Sequence, residues 1–415
     1  MGNLNQPLSV SRLRVTFALV AVFAFCAFAA TPNATAQTYS VLYNFGAVAN
    51  DGDLPEGKLA IDSDGNLYGT TNAGGTGTFT FGTAGTIFKI DSAGNETILH
   101  NFVGTDGASP TGGVIRDPNG NLYGTTQRGG DLTQCSNAGC GTIFQLDPSG
   151  TLTTLHIFES GTDGALPTGS LISVNGELYG VTEQGGSGQN RGTIFKVSKN
   201  GLYHVIYRFS GGIVGQDPKG ITADSAGNLY GVAYLGGDEA GNGLIFKLDA
   251  TNHLTDVFLF PGGRDGSRPV GRILLDANGN FHGMTQDGGD LGCRDSLRGC
   301  GVVYRVSNTG VESVLHRFGK TGVTDGEFPV SSLVDAGGVL YGATADGGNL
   351  CGNSGCGTLF RIGKDGTYTQ LHDFPAFTGD AITPGELTLD SAGNLYGVSE
   401  SGGQFGSGTV FKVTP

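Results

Sequence analysis

Six aspartates, Asp51, Asp106, Asp163, Asp265, Asp325 and Asp380, each stand four residues ahead of a proline. Carboxylates repeated at one spacing and gathered on one face could hold a hard cation such as calcium through oxygen ligands, or a basic partner. They also have a plainer use. Asp-Gly forms turns, and the Asp side chain caps its own backbone. Regular recurrence favours the turn, so no cofactor is expected, with a bound cation such as calcium as the alternative. One unit breaks the pattern, since Val214 holds the Asp position ahead of Pro218.

The cysteines fall in local pairs, Cys135 and Cys140, Cys293 and Cys300, Cys351 and Cys356. An even count at equivalent positions predicts three short disulfides. Zinc would need four ligands, and each loop offers two sulfurs and no histidine. His100, His156, His316 and His372 recur in the pattern LHxF, but Tyr43, Tyr207 and Phe258 fill the same slot elsewhere. A slot that accepts rings without a titration near neutrality asks for a flat ring, not a proton shuttle. Arg264, Arg268 and Arg272 lie close together in sequence and could hold an anion, although solvated surface arginines are the simpler reading. No GxSxG, HExxH or phosphate-binding loop is present, so no catalytic residues are assigned. The absence of tryptophan takes weight from a lectin role, although tyrosine can stack on sugars.

The elements that position these residues are legible from repetition. GNLYGTT occurs at Gly65–Thr71 and again at Gly120–Thr126, with looser copies downstream. Alignment on the central ring gives Tyr68, Tyr123, Tyr179, Tyr230, His282, Tyr341 and Tyr396, seven units spaced 51 to 59 residues apart. A second aromatic series follows in each unit: Phe88, Phe144, Phe195, Phe246, Tyr304, Phe360 and Phe411. The segments between the Gly, Asn, Asp and Pro turns are short and rich in β-branched and aromatic residues, and none has a sustained helical period. Four such strands make an antiparallel meander that cannot bury both faces alone. Packing the sheets around an axis solves that problem.

The fold class expected is therefore all-β, a seven-bladed β-propeller of four-stranded antiparallel blades. Its repeats run over about 39–95, 96–151, 152–201, 202–252, 253–311, 312–367 and 368–415. The segment Tyr39–Phe45 matches a fourth strand, and the last unit stops after its third, Gly408–Val413, so the N-terminal strand is expected to complete the last blade and close the ring. The recurring rings are read as the surface each blade offers the next, and the Gly after each Tyr as a close backbone approach.

The pattern PxGxLxxDxxGNLYGTTxxGGxxxGTIFKI, followed by LHxF and DGxxP, resembles the GloVer-type tandem repeat family, whose members carry a choice of surface anchors. The order is also similar, more weakly, to NHL-type propeller repeats. The resemblance implies a secreted propeller and brings no catalytic residues. Anchored members carry a sorting signal, and this chain ends on a strand, which puts covalent surface attachment in doubt.

Residues 1–36 hold Arg12 and Arg14, a 16-residue apolar run and Ala34–Ala36, the pattern of a signal peptide cleaved after Ala36. The run is short for a membrane span, and Phe25 ahead of Cys26 disfavours lipidation. The remaining 37–415 would carry 21 basic against 37 acidic residues, a net −16. Such a charge argues against nucleic acid and anionic membranes as partners. The expected protein is a secreted, monomeric, non-catalytic scaffold that binds an extracellular protein or glycan through the face bearing the Gly-Gly loops. Its rivals are a propeller lyase, lactonase or hydrolase with a cation at the channel mouth, and a structural envelope component.

Overall fold

The computed structural model describes residues 1–2, 38–186, 188–290, 298–319, 325–349, 356–375 and 381–414. The chain divides into two units, Met1–Ala36 and Gln37–Pro415. Beyond Gly2, the expected leader lies outside the described residues. Within the second unit, seven four-stranded antiparallel sheets form a closed ring, a seven-bladed β-propeller.

Blade 1 shows the plan. Its inner strand Gly52–Ile61 pairs with Leu67–Gly74, then Thr86–Ile90, then the outer strand Glu96–Asn101. The inner strands of the others are Val114–Arg116, Ala165–Val174, Gln216–Ala223, Ser267–Leu275, Gly326–Pro329 continued by Val334–Asp335, and Ala381–Leu389. Blade 7 takes Thr38–Asn44 as its outer strand, paired from Thr38 opposite Thr414 to Asn44 opposite Thr409. The ring thus closes as expected, and each sequence repeat begins one strand earlier than the blade it fills.

Each third-strand ring, Phe88, Phe144, Phe195, Phe246, Tyr304, Phe360 and Phe411, is fully buried. Each meets the Phe that ends the previous blade's outer strand, as in Phe102 with Phe144 at 5.3 Å and Phe158 with Phe195 at 5.4 Å. Edge-to-face pairs of this kind add about 0.5–1.5 kcal/mol beyond burial. The Gly after Tyr does allow close backbone approach, as a Cβ on Gly124 would stand 2.9 Å from Gly113 O, but it also serves a ring. Gly124 lies opposite Phe144 in the ladder, and a Cβ on it would stand 2.5 Å from Phe144 Cζ. The glycine is a seat for the neighbouring strand's ring. Beside it, Thr126 Oγ1 and Thr142 Oγ1 share a buried hydrogen bond of 2.9 Å, one of five such hydroxyl pairs among the described residues.

The prolines mark the joints between blades. The residue before the proline is left-handed at Leu54, Ser109, Leu166, Asp217, Arg268 and Phe328, with φ between 52° and 58°. Side chains rarely tolerate that region, at a cost of order 1–3 kcal/mol. Here it aims the amide at the preceding blade: Leu166 N–H donates to Cys140 O at 2.9 Å and Phe328 N–H to Cys300 O at 2.9 Å. The adjacent Gly141 leaves room for the next blade's proline, since a Cβ there would meet Pro167 Cδ at 2.7 Å.

Candidate functional site

The described aspartates sit where the outer strand of one blade turns into the inner strand of the next, and each is held by its own loop or a neighbouring strand. Asp51, 6% exposed, accepts from the amides of Gly46, Ala47 and Gly52 and from the Tyr43 hydroxyl at 2.9 Å. Asp106, Asp163 and Asp325 accept from Nε2 of His100, His156 and His316 at 2.9, 3.0 and 2.7 Å. Asp265, whose blade has Phe258 in the ring slot, accepts instead from Arg317 at 2.8 Å. Asp380 lies outside the described residues.

The sequence reading treated the His/Tyr slot and the aspartates separately, whereas the structure pairs them. The signal was available: every unit with a histidine in the slot, His100, His156, His316 and His372, also carries the Asp. Two of these histidines also lie flat on a tyrosine that opens the next outer strand, His156 on Tyr203 at 3.6 Å and His316 on Tyr368 at 3.8 Å. At the closing seam the equivalent residue is Glu96. Its Oε2 lies 3.0 Å from the Tyr43 hydroxyl, and burial followed by Asp51 pushes its carboxyl up to about 8.

The second-strand tyrosines do more than pack. Tyr68, Tyr123, Tyr230 and Tyr396 donate their hydroxyls to Asp62, Asp117, Asp224 and Asp390, tying the turn at the opposite end of the blade. Tyr341 is buried, and Tyr179 packs at the edge of a core cluster. Cys135 and Cys140 form a disulfide, and Cys300 and Cys356 are disulfide-bonded. Cys293 and Cys351 lie outside the described residues. The three arginines do not converge: Arg264 pairs with Asp290, Arg268 with Asp287, and Arg272 packs its backbone beside Gly220 of the preceding blade.

The axis holds what sequence reasoning missed. A cavity of about 530 Å³ is lined by all seven blades. The inner strands bulge just after the proline, with ladder register lost between Glu56 and Ala60 in blade 1. The bulge turns the residue after each proline toward the cavity. That ring reads Glu56, Thr111, Thr168, Lys219, Val270, Val330 and Gly385. Tyr234, Gln286 and Glu400, from near the ends of second strands, join it.

The charges break sevenfold symmetry. Glu56, bonded to Asn72 Nδ2 at 2.8 Å, is pushed up to about 7 by burial, with Glu400 adding to the rise. Lys219 Nζ sits 2.9 Å from both Glu183 and Asp217 and 5.1 Å from the centre of the Tyr234 ring. Burial works against its charge, but the two carboxylates outweigh it and the ammonium is held above its usual range. Further along the inner strand, Lys58 is pulled down to about 8 by burial and by Arg272, with Glu386 opposing. Glu386 accepts from Ser332 Oγ at 2.9 Å, and that Oγ accepts from the Arg272 amide at 2.8 Å. These links bring blades 5, 6 and 7 together at the axis.

Among solved structures, the chain is similar to a streptogramin B lyase, with 16% identity, TM-score 0.58, and 91% of this chain and 97% of that one covered. It is also similar to the extracellular domain of a protein described as a putative hybrid two-component system from B. thetaiotaomicron, with 15% identity and TM-score 0.54 over 92% of this chain and 42% of that one. At these identities the likeness is one of fold. No curated protein matches the chain. A family model described as the Gloeobacter/Verrucomicrobia repeat matches residues 26–190 and 241–415. The stretch between the two matches contains Asp217, Lys219 and Tyr234, so the least repeat-like segment supplies part of the channel wall. Over most of its length, then, the chain belongs to the Gloeobacter/Verrucomicrobia repeat family.

Proposed function

We propose that this protein is an exported, monomeric, non-catalytic binding scaffold that receives a small polar ligand in its axial cavity, with the Gly-Gly loops framing the mouth. The observation that carries the reading is the broken symmetry of the channel wall. Packing explains the residues that repeat, but it gives no reason for Glu56 and Lys219 where other blades place Thr111, Thr168 or Val270. Buried charge is costly to maintain, and in a cleft it is the usual mark of a recognition site. The Cys135–Cys140 disulfide supports an oxidising compartment. Among the described residues no helix is long and apolar enough to cross a membrane.

The test is a thermal-shift screen of polar metabolites, glycans and short peptides on the intact chain and on Thr168→Trp, which puts an indole into the cavity. Compounds that stabilise the intact protein should fail on the plugged one. Stabilisation that survives the plug, or a screen in which nothing stabilises the intact protein, overturns the reading.

A further inference from the structure

Four side chains meet at each joint between blades: the residue two before the proline of either blade, the residue before the Gly that leads into the third strand, and the residue just before the second proline. Between blades 2 and 3 these slots hold Ala108, Cys140, Ala165 and Leu166, and the first three are buried. Between blades 4 and 5 they hold Gln216, Asn242, Ser267 and Arg268. The backbone link is the same at both, since the Arg268 amide donates to Asn242 O at 2.7 Å just as the Leu166 amide donates to Cys140 O. Only the side chains differ. Every other joint keeps an apolar residue in at least one of the four slots.

Where the apolar joint is filled, the polar one is open. Gln216, Asn242, Ser267 and Arg268 line a cleft of about 640 Å³ together with Asp238, Asp287 and Arg298, and it shares no lining residue with the axial cavity. The side chains of Gln216, Asn242 and Ser267 make no hydrogen bond among the described residues. Arg268 is held at one edge, with Nε 3.3 Å from Asp287 Oδ2 and its guanidinium carbon 5.5 Å from the centre of the Tyr234 ring. Its terminal nitrogens make no hydrogen bond among the described residues.

We infer that this cleft is a second binding site and that it takes a neutral saccharide. Charge decides the first half of that class. The ionisable groups lining the cleft are two carboxylates, Asp238 and Asp287, and two guanidiniums, Arg268 and Arg298. The signs cancel, so neither an anion nor a cation is favoured by the field of the cleft. Hydrogen bonding decides the second half. The Gln216 and Asn242 amides and the Ser267 hydroxyl both donate and accept, Arg268 only donates, and the carboxylates only accept. A hydroxyl can answer any of these, and a sugar ring carries several on one compact frame. Arg268 is already oriented by Asp287 and Tyr234, so gripping a ligand costs it little side-chain freedom. The volume is in the range of small-molecule sites.

Saturation-transfer NMR titrations on the intact chain test the inference. The neutral probes are maltotriose, cellotriose and tri-N-acetylchitotriose, and the charged ones are trigalacturonate and deacetylated chitotriose. At least one neutral probe should bind, and neither charged probe should bind as tightly. Gln216→Ala, Asn242→Ala and Ser267→Ala together install the residues that Ala108, Ala84 and Ala165 supply elsewhere in the repeat. That variant should weaken binding roughly tenfold or more. Arg268→Leu, which copies Leu166, should weaken it as well, and Thr168→Trp in the axial cavity should leave it unchanged. Absence of binding by every neutral probe, tighter binding of a charged one, or binding that survives both cleft variants overturns the inference. Loss of the saccharide in Thr168→Trp, with the cleft variants unaffected, overturns the second site and leaves the axial reading standing.

Discussion

At the seam between blades 7 and 1, one phenol serves two carboxyl groups. The Tyr43 hydroxyl lies 2.9 Å from Asp51 Oδ2 and 3.0 Å from Glu96 Oε2, and it has a single proton to give. Asp51 is already an acceptor for three backbone amides, so the proton order is Glu96 to Tyr43 to Asp51, with Glu96 neutral. Glu96 is pushed up to about 8 from an ordinary 4.5, so between those values the folded chain holds a proton that the unfolded chain releases. Its contribution to stability is fully present below about pH 4.5 and is lost as the pH rises through 8. Glu96→Gln, a permanent mimic of the neutral acid, should match the parent's Tm at pH 4.5 and exceed it at pH 9. A difference that does not change with pH would refute this proton order.

At the scale of the strand, recurrence separates what was legible from what was not. The aromatic series, the turns and the strands repeat seven times, because each blade solves the same packing problem, and so they could be read directly. The second role of the Gly after Tyr could not, since its partner ring is twenty residues downstream and is reached only through the ladder. Gly124→Ala should destabilise by about 1–3 kcal/mol through overpacking against Phe144, and Phe144→Ala by about 3–5 kcal/mol through the cavity it leaves. In the double variant the added methyl no longer meets a ring, so chemical denaturation should give a combined loss smaller than the sum of the two. An additive result would mean that the glycine serves another purpose. The channel charges were hidden for a different reason. Glu56 and Lys219 are exceptions within the repeat, and the bulge that turns them inward was signalled only by the Pro-x-Gly pattern, whose Gly57, Gly169 and Gly271 take φ of 77°, 65° and 67°.

At the scale of the whole molecule, the axial cavity depends on closure, because only a closed ring brings Glu56 of blade 1, Lys219 of blade 4 and Glu386 of blade 7 to one cavity. That closure rests on one strand, Thr38–Asn44, laid against Thr409–Thr414. Its length was legible from the spare segment at the N-terminal side of the repeats and the missing fourth strand in the last one. The measurement that tests the account most directly is amide hydrogen exchange on this strand in the intact chain. The account predicts that the ladder amides of Thr38–Asn44 are protected to the same degree as those of Leu395–Gly402 and exchange together with them on global unfolding. Exchange of Thr38–Asn44 at the rate of free chain, with Leu395–Gly402 still protected, would contradict it.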